Sequence, residues 1–501
     1  MVEIIMEKED LQSAPVADED AIIDDVADFI DMNDAVEIQV DDDLPMDVDE
    51  DNDLSGSDKE SKGVSGGDTQ TVDIVADMSK IQLTSHTDSV YTVAAFFENG
   101  QFSILSGGGD DQAFQYKISL ISDIITKKVE SLTNQHTDTV SSVAYNMAYI
   151  SEDMKKTPRL AAVGSYDGSI IIYDPDTGTQ RTKLEGPSDV EWISFHPKGG
   201  TVLLAGSGDG TLWMFHIPLN RCLQVFVGHE QAVTAGCFSP DGKWALSASS
   251  DGSLRIWAPK TGLNKHVFRL GKAGLTCMAS KGGTDGRLVI VGSEDGQAHV
   301  CHIGSKKLVA SLRHYDISTN RLSKINGNTM AAENVEGDEE ENIEYPMSVE
   351  AVGFSPFQPN WCATGGIDGK LKIWDITNAQ CRQVCDPTTI NVNGDKPNTD
   401  TVIDSITRLM WHPTAPVVFA STINNRVRVW DARNGNLLHT LTGGSTKEQI
   451  NYMDIQFLPN GSAIIVIAGD DKVVRVFELN INLLTQTQTT TGTAADTDMQ
   501  S

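Results

Sequence analysis

Two pairs of neighbouring aspartates, Asp110–Asp111 and Asp470–Asp471, are the first residues here that could do chemistry. Adjacent carboxylates can share a proton for acid–base work or hold a cation. The run from Gly206 to Gly210, GSGDG, has the composition of a loop that cradles phosphate. Cys381 and Cys385 could ligate a metal. Context removes each of these readings. Both aspartate pairs fall at a turn between two short apolar segments, so they read as hairpin residues. The glycine run also lies at a hairpin and lacks the helix N-terminus that a phosphate needs. The two cysteines are separated by three residues, not two, and no histidine stands near them at ligand spacing. No nucleophile elbow, Walker A loop, HExxH or dinucleotide-binding glycine turn sits before a helix. The expectation is a protein that is not an enzyme, with no catalytic residue, no cofactor and no metal.

The elements around these residues repeat. Ser250–Ala258 reads SDGSLRIWA, a polar turn followed by a short strand ending on an aromatic. At the same six-residue offset Asp110 leads to Tyr116, Asp167 to Tyr173, Asp209 to Phe215, Asp251 to Trp257 and Asp368 to Trp374. Asn424 leads to Trp430, Asp471 to Phe477, and Asp295 to Cys301, where the aromatic is lost but the alternation stays. Asp-Gly favours a tight hairpin, because glycine accepts positive φ and aspartate bonds its own backbone. Alternating apolar residues such as Leu254 and Ile256 give a strand with one buried face. Another short strand precedes each turn, and a third, often opened by a histidine (His86, His136, His229), comes earlier still. Three strands plus one shared with the next unit make a four-stranded blade. Blades arranged radially make a β-propeller, which protects most strand edges by repetition. The fold class expected is all-β, with eight blades, or seven as the alternative.

Charge divides the chain unevenly. The formal net charge is −33, of which residues 1–60 carry −21 and the remainder −12. Nucleic acid and anionic membrane surfaces are disfavoured as direct partners, and a basic protein is favoured. Residues 1–77 are too acidic and too poor in apolar residues to form a core and are expected to be a disordered tail. Within them Ile22, Ile23, Val26, Phe29 and Ile30 fall at helical spacing. The propeller is expected over 78–482, with insertions near 314–346 and 386–401, and a Thr/Gln-rich tail over 483–501. Met1–Leu11 lacks the cationic start and apolar run of a secretory signal, and no apolar stretch nears the length of a membrane span. Seven scattered cysteines suit a reducing compartment. Ser79–Ser85 is expected to add the outer strand of the last blade and close the ring against Val473–Phe477, with closure by Ile481–Thr485 as the alternative.

Gly228-His229, Trp374-Asp375 and Trp430-Asp431 resemble the WD40 repeat, whose period is near 40 residues. Successive aromatic positions lie 57, 42, 42, 44, 73, 56 and 47 residues apart, so the long intervals locate insertions. The resemblance implies a hydrogen-bonded structural set in each blade. Only the fourth copy carries it in full: His229, Ser247 or Ser249, Asp251 and Trp257. The acidic N-terminus, the opening Ser85–Val90 (SHTDSV) and the hairpin Gly107–Asp110 resemble one WD40 group. That group is the angio-associated migratory cell protein family and its fungal counterpart, the dedicated chaperone of a large-subunit ribosomal protein. The resemblance implies an eight-bladed ring whose acidic face binds the basic N-terminal segment of a newly made ribosomal protein.

Strand direction places the residues that open each inner strand at the same face as the Asp turns. Asp88, Asp138 and Asp404 lie two residues before the first apolar residue of an inner strand. Glu191 and Glu350 lie just after it, and Asp189, Glu230, Glu294 and Asp454 are expected to add to the rim. Clustered carboxylates would speed encounter with a cationic partner. The function expected is therefore chaperoning of a basic ribosomal protein by a monomer in the cytoplasm, with the nucleus as a second location. The alternatives are a general WD40 scaffold in signalling or migration, and a histone chaperone.

Overall fold

A computed structural model describes residues 76–484, apart from 99, 120–125, 133–135, 147–158, 199, 282–286, 316–347, 388–403 and 445–447. The expected tails, apart from residues 76, 77, 483 and 484, and the helical-spacing motif lie outside the described residues, as do the bodies of the two insertions. Asp77, expected in the tail, instead pairs with Arg475 of blade 8 (2.9 Å).

Eight four-stranded antiparallel sheets are present among the described residues. Blades 1–7 run in order through 90–131, 140–185, 192–226, 235–269, 275–313, 349–385 and 406–442. Blade 8 takes three strands from 450–480 and its outer strand from Ile81–Leu83. There Ile81 pairs with Val476 and Leu83 with Val474, so the N-terminal segment closes the ring. Ile481, the first residue of the alternative closing segment, is buried in the core beneath blade 8 instead.

The core sits between blades. Each buried cluster joins two neighbours, such as Leu160, Ile170 and Ile172 of blade 2 with Ile193, Leu203 and Phe215 of blade 3. A middle strand is thereby covered on both faces, and Ser169–Tyr173 is buried at every residue. That explains why these strands read as continuous apolar runs, while outer strands such as Lys307–Arg313 stay largely exposed.

A bulge marks the top of the inner strands. In six blades the register slips directly after the first paired residue, between Val90 and Thr92, Val140 and Ser142, Leu275 and Cys277, Val349 and Ala351, Ile406 and Arg408, and Ile450 and Tyr452. The skipped residue is re-aimed, as bulges do. In blades 2, 5 and 8 it is small and polar and reaches the next blade, whereas Thr407 of blade 7 bonds Ser421 of its own blade (2.9 Å). Ser141 Oγ donates to the Val190 carbonyl, Thr276 Oγ1 to Val349 (2.5 Å) and Asn451 Nδ2 to Val90 (3.1 Å). Thr234, which follows Val233 in blade 4, donates likewise to Leu275 (2.6 Å).

Candidate functional site

The hydrogen-bonded sets come first because they fix the turns that shape the rim. In blade 4 Trp257 Nε1 donates to Ser247 Oγ (2.8 Å), and Ser247 Oγ lies 2.7 Å from His229 Nε2. His229 Nδ1 then lies 2.9 Å from Asp251 Oδ2, which also accepts the Glu230 amide. Burial pushes the Asp251 carboxyl upward, but hydrogen bonds from Ser253 and His229 outweigh it and hold the group at about 2. Burial holds His229 below its ordinary value, against the pull of Asp251. The ring is therefore a neutral relay between a hydroxyl and a carboxylate.

Blade 6 holds a complete set too, contrary to the expectation that only blade 4 would. His314 Nδ1 lies 2.7 Å from Thr364 Oγ1, which accepts Trp374 Nε1 (2.8 Å), and His314 Nε2 lies 3.3 Å from Asp368. His314 thus belongs to blade 6 and not to an insertion. It stands 54 residues before its aspartate, against 22 in blade 4, because residues 316–347 intervene. The signal that could have found it was a Trp-Asp blade with no histidine at the usual distance.

Around this scaffold the predicted acidic residues sort into two groups. Asp88, Asp138, Glu230 and Glu294 are exposed, and Asp189, Glu191 and Glu350 are half-buried. Most are tied to the turn face of their own blade. Asp189 Oδ1 accepts Ser207 Oγ (2.6 Å) and the Gly208 amide (2.7 Å). Glu294 Oε2 accepts the Gly274 amide, and the Asp138 carbonyl accepts Ser165 Oγ. Burial and the charge of Asp189 raise the pKa of Glu191, although Tyr166 donates to it at 3.4 Å. Crowded carboxylates of this kind gain when a cation arrives.

Two predicted rim residues are elsewhere. Asp404 is only 6% exposed and pairs with the buried Arg428, with Arg426 at 3.9 Å. Its charge is already neutralised inside blade 7. Asp454 lies in the seam between blades 8 and 1, where Oδ2 accepts the Ala95 amide (2.7 Å), while Gln456 donates to the Ala95 carbonyl (2.8 Å). Burial lifts its carboxyl to about 6, despite hydrogen bonds from Ala95 and Ile455. It staples the ring and does not add to the rim.

The mouth also carries residues that the sequence reading missed. Tyr91 occupies the bulge place in blade 1 and Glu350 that in blade 6. Glu191 stands at the equivalent position of blade 3, directly after Val190, where the register does not slip. Carboxylates cannot donate to the next blade's carbonyl, so the two glutamates are excluded from the latch. In blade 3 Trp192 Nε1 makes that bond instead, donating to the Val233 carbonyl (2.8 Å). Comparing the eight strand openings in columns would have put Tyr91 beside the glutamates. The serine–histidine–aspartate sets are buried inside their blades, with Ser247 wholly covered and bonded to Trp257. The mouth itself presents carboxylates and exposed tyrosines, suited to binding a cationic chain.

The fold and this rim define the chain as an eight-bladed WD40 β-propeller. The WD domain, G-beta repeat family matches residues 78–116, 178–216, 220–258 and 346–375. Among relatives, the chain is similar to the angio-associated migratory cell protein of Canis lupus familiaris, 29% identical over 401 residues that cover 79% of each chain. The human protein of the same name is 28% identical over 400 residues, again 79% of each. Among solved structures, Saccharomyces cerevisiae Sqt1 shares the fold at a TM-score of 0.62 and 17% identity, covering 81% of this chain and all of that one. Chaetomium thermophilum Sqt1 bound to the N-terminus of the ribosomal protein L10 matches at a TM-score of 0.60 and 19% identity, with 81% and 100% coverage.

Proposed function

We propose that the acidic mouth of this propeller binds the basic N-terminal segment of a newly synthesised large-subunit ribosomal protein and holds it until assembly. The observation that carries this reading is the set of rim carboxylates, notably Asp88, Asp138, Glu191 and Glu230, that no cation among the described residues pairs with. The likeness in fold to Chaetomium thermophilum Sqt1 bound to the N-terminus of the ribosomal protein L10 supports it. A segment made to contact rRNA is polybasic, and in its unassembled state it invites aggregation and non-specific RNA contacts. An acidic face can occupy it through charge attraction that salt screens. The place of action proposed is the cytoplasm, where ribosomal proteins are made.

Charge reversal tests the site. In the chain carrying Glu191→Lys with Glu350→Lys, binding to a ribosomal protein's basic N-terminal peptide should weaken by at least about tenfold at low salt. Undiminished binding by a folded variant would remove these residues from the interface and sink the acidic-mouth reading.

A further inference from the structure

Tyr91 and Tyr166 are each 41% exposed, which makes them large apolar side chains set in a charged rim. Each is placed by specific geometry. Tyr91 sits at the bulge of blade 1 and lies back over the turn of its own blade, so that a β-carbon at Gly109 would fall 3.2 Å from its Cε2 and 3.4 Å from Asp88 Oδ2. Tyr166 stands on the turn of blade 2, where its amide donates to the Thr139 carbonyl (3.0 Å) and its hydroxyl reaches Glu191 of blade 3. In blade 3 the residue equivalent to Tyr166 is Gly208, and a β-carbon there would fall 2.5 Å from Asp189 Oδ2. The glycines of blades 1 and 3 thus leave room for Tyr91 and the carboxylates to lie over the turns, with Tyr166 between them. Burial and then the charge of Glu191 push the Tyr166 phenol up to about 12, with Tyr91 among the neighbours that add to the shift. The ring therefore stays neutral.

Exposed aromatic faces beside carboxylates select among cations. A guanidinium is planar, weakly hydrated and forked, so it can stack on a ring while donating two bonds to a carboxylate. A lysine ammonium keeps more of its water and gains less from the ring. The carboxylates exclude an acidic or merely apolar partner, since either would strand them desolvated.

Resting on the proposed function, we infer that the arc of blades 1–3 reads arginine rather than general positive charge, with Tyr91 and Tyr166 as stacking platforms and Asp88, Asp189 and Glu191 as carboxylate partners. The test uses the full chain and two synthetic peptides of equal length and charge, one with arginine as its only basic residue, the other with lysine. The unmodified protein should bind the arginine peptide about fivefold or more tighter. Tyr91→Leu with Tyr166→Leu should abolish that preference and leave lysine-peptide affinity nearly unchanged, whereas Tyr91→Phe with Tyr166→Phe should retain it. Equal binding of the two peptides by the unmodified protein, which no folding defect can obscure, would overturn the arginine reading and leave the acidic mouth standing. So would a preference that survives the leucine pair. Binding of neither peptide would overturn both readings.

Discussion

Val163 and Ala420 each stand where other blades place a hydroxyl, four residues before the turn. Ser106, Ser247 and Thr364 hold that place in blades 1, 4 and 6 and meet His86, His229 and His314. In blade 2 the valine leaves His136 Nε2 buried without a partner, and in blade 7 the alanine does the same to Trp430 Nε1. A buried donor or acceptor left unmade costs more than an average hydrogen bond gains. Val163→Thr and Ala420→Ser should therefore each stabilise the propeller by about 1 kcal/mol, read as a higher midpoint in chemical denaturation. No gain in either variant would show that these sets do not limit stability. The histidines also fix the sign of the acid response. Burial lowers the pKa values of His86, His136, His229 and His314 from 6.5, so below that pH the unfolded chain binds protons that the folded one refuses. Asp251, lowered to about 2 from 3.8, contributes stability above 3.8 that is lost as pH falls through about 2. Asp454 has the opposite sign. Its carboxyl is raised to about 6 from 3.8, so its ionisation costs stability as pH rises through that window. Asp454→Asn gives up one of the two acceptors that Ala95 and Ile455 use, but it removes the charge, so its melting temperature relative to the unmodified protein should rise between about pH 5 and about pH 7.5. Calorimetry at the two pH values checks the direction.

At the scale of the element, the closing strand Ile81–Leu83 decides whether blade 8 has an open edge. Leu83 is fully buried and pairs with Val474, in a cluster that spans blades 1 and 8. Leu83→Ala should cost about 3 kcal/mol, and Leu83→Asp should expose the strand Val474–Asn480 and promote aggregation, measurable by light scattering on mild heating. Wild-type stability in the alanine variant would mean that the seam is held elsewhere. The turns, the strands and this closure were legible in the sequence because each is local and recurs. SKIQLTS is a strand whose partner had to be at the other end of the repeats. What was not legible depended on distant neighbours. The residue that captures Asp454 is Ala95, 359 positions away, and Asp404 is silenced by Arg428 across its own blade. Of the nine acidic residues expected at the rim, these two are held inside the fold, so Asp404→Lys would test blade 7 folding and not partner binding. Tyr91 and Tyr166 went unseen because a reading guided by charge passes over aromatics.

For the molecule as a whole, the ring supplies eight equivalent places around one mouth and gives them different tasks. Four use a small polar side chain to latch the next blade, while Tyr91, Glu191 and Glu350 leave theirs at the opening. Rigidity and the proposed recognition thus draw on the same position of the inner strand, and losing a latch should loosen the mouth before it unfolds the ring. The account rests on attraction between that mouth and a basic segment. The most direct measurement is a pull-down of the full chain from native lysate, washed at about 50 mM and about 500 mM salt, with bound proteins quantified by mass spectrometry. The account predicts one large-subunit ribosomal protein at near-equal stoichiometry, recovered without the rest of the ribosome, released by high salt and absent when Glu191→Lys and Glu350→Lys are combined. Histones, or a mixed set of proteins indifferent to both salt and charge reversal, would contradict it.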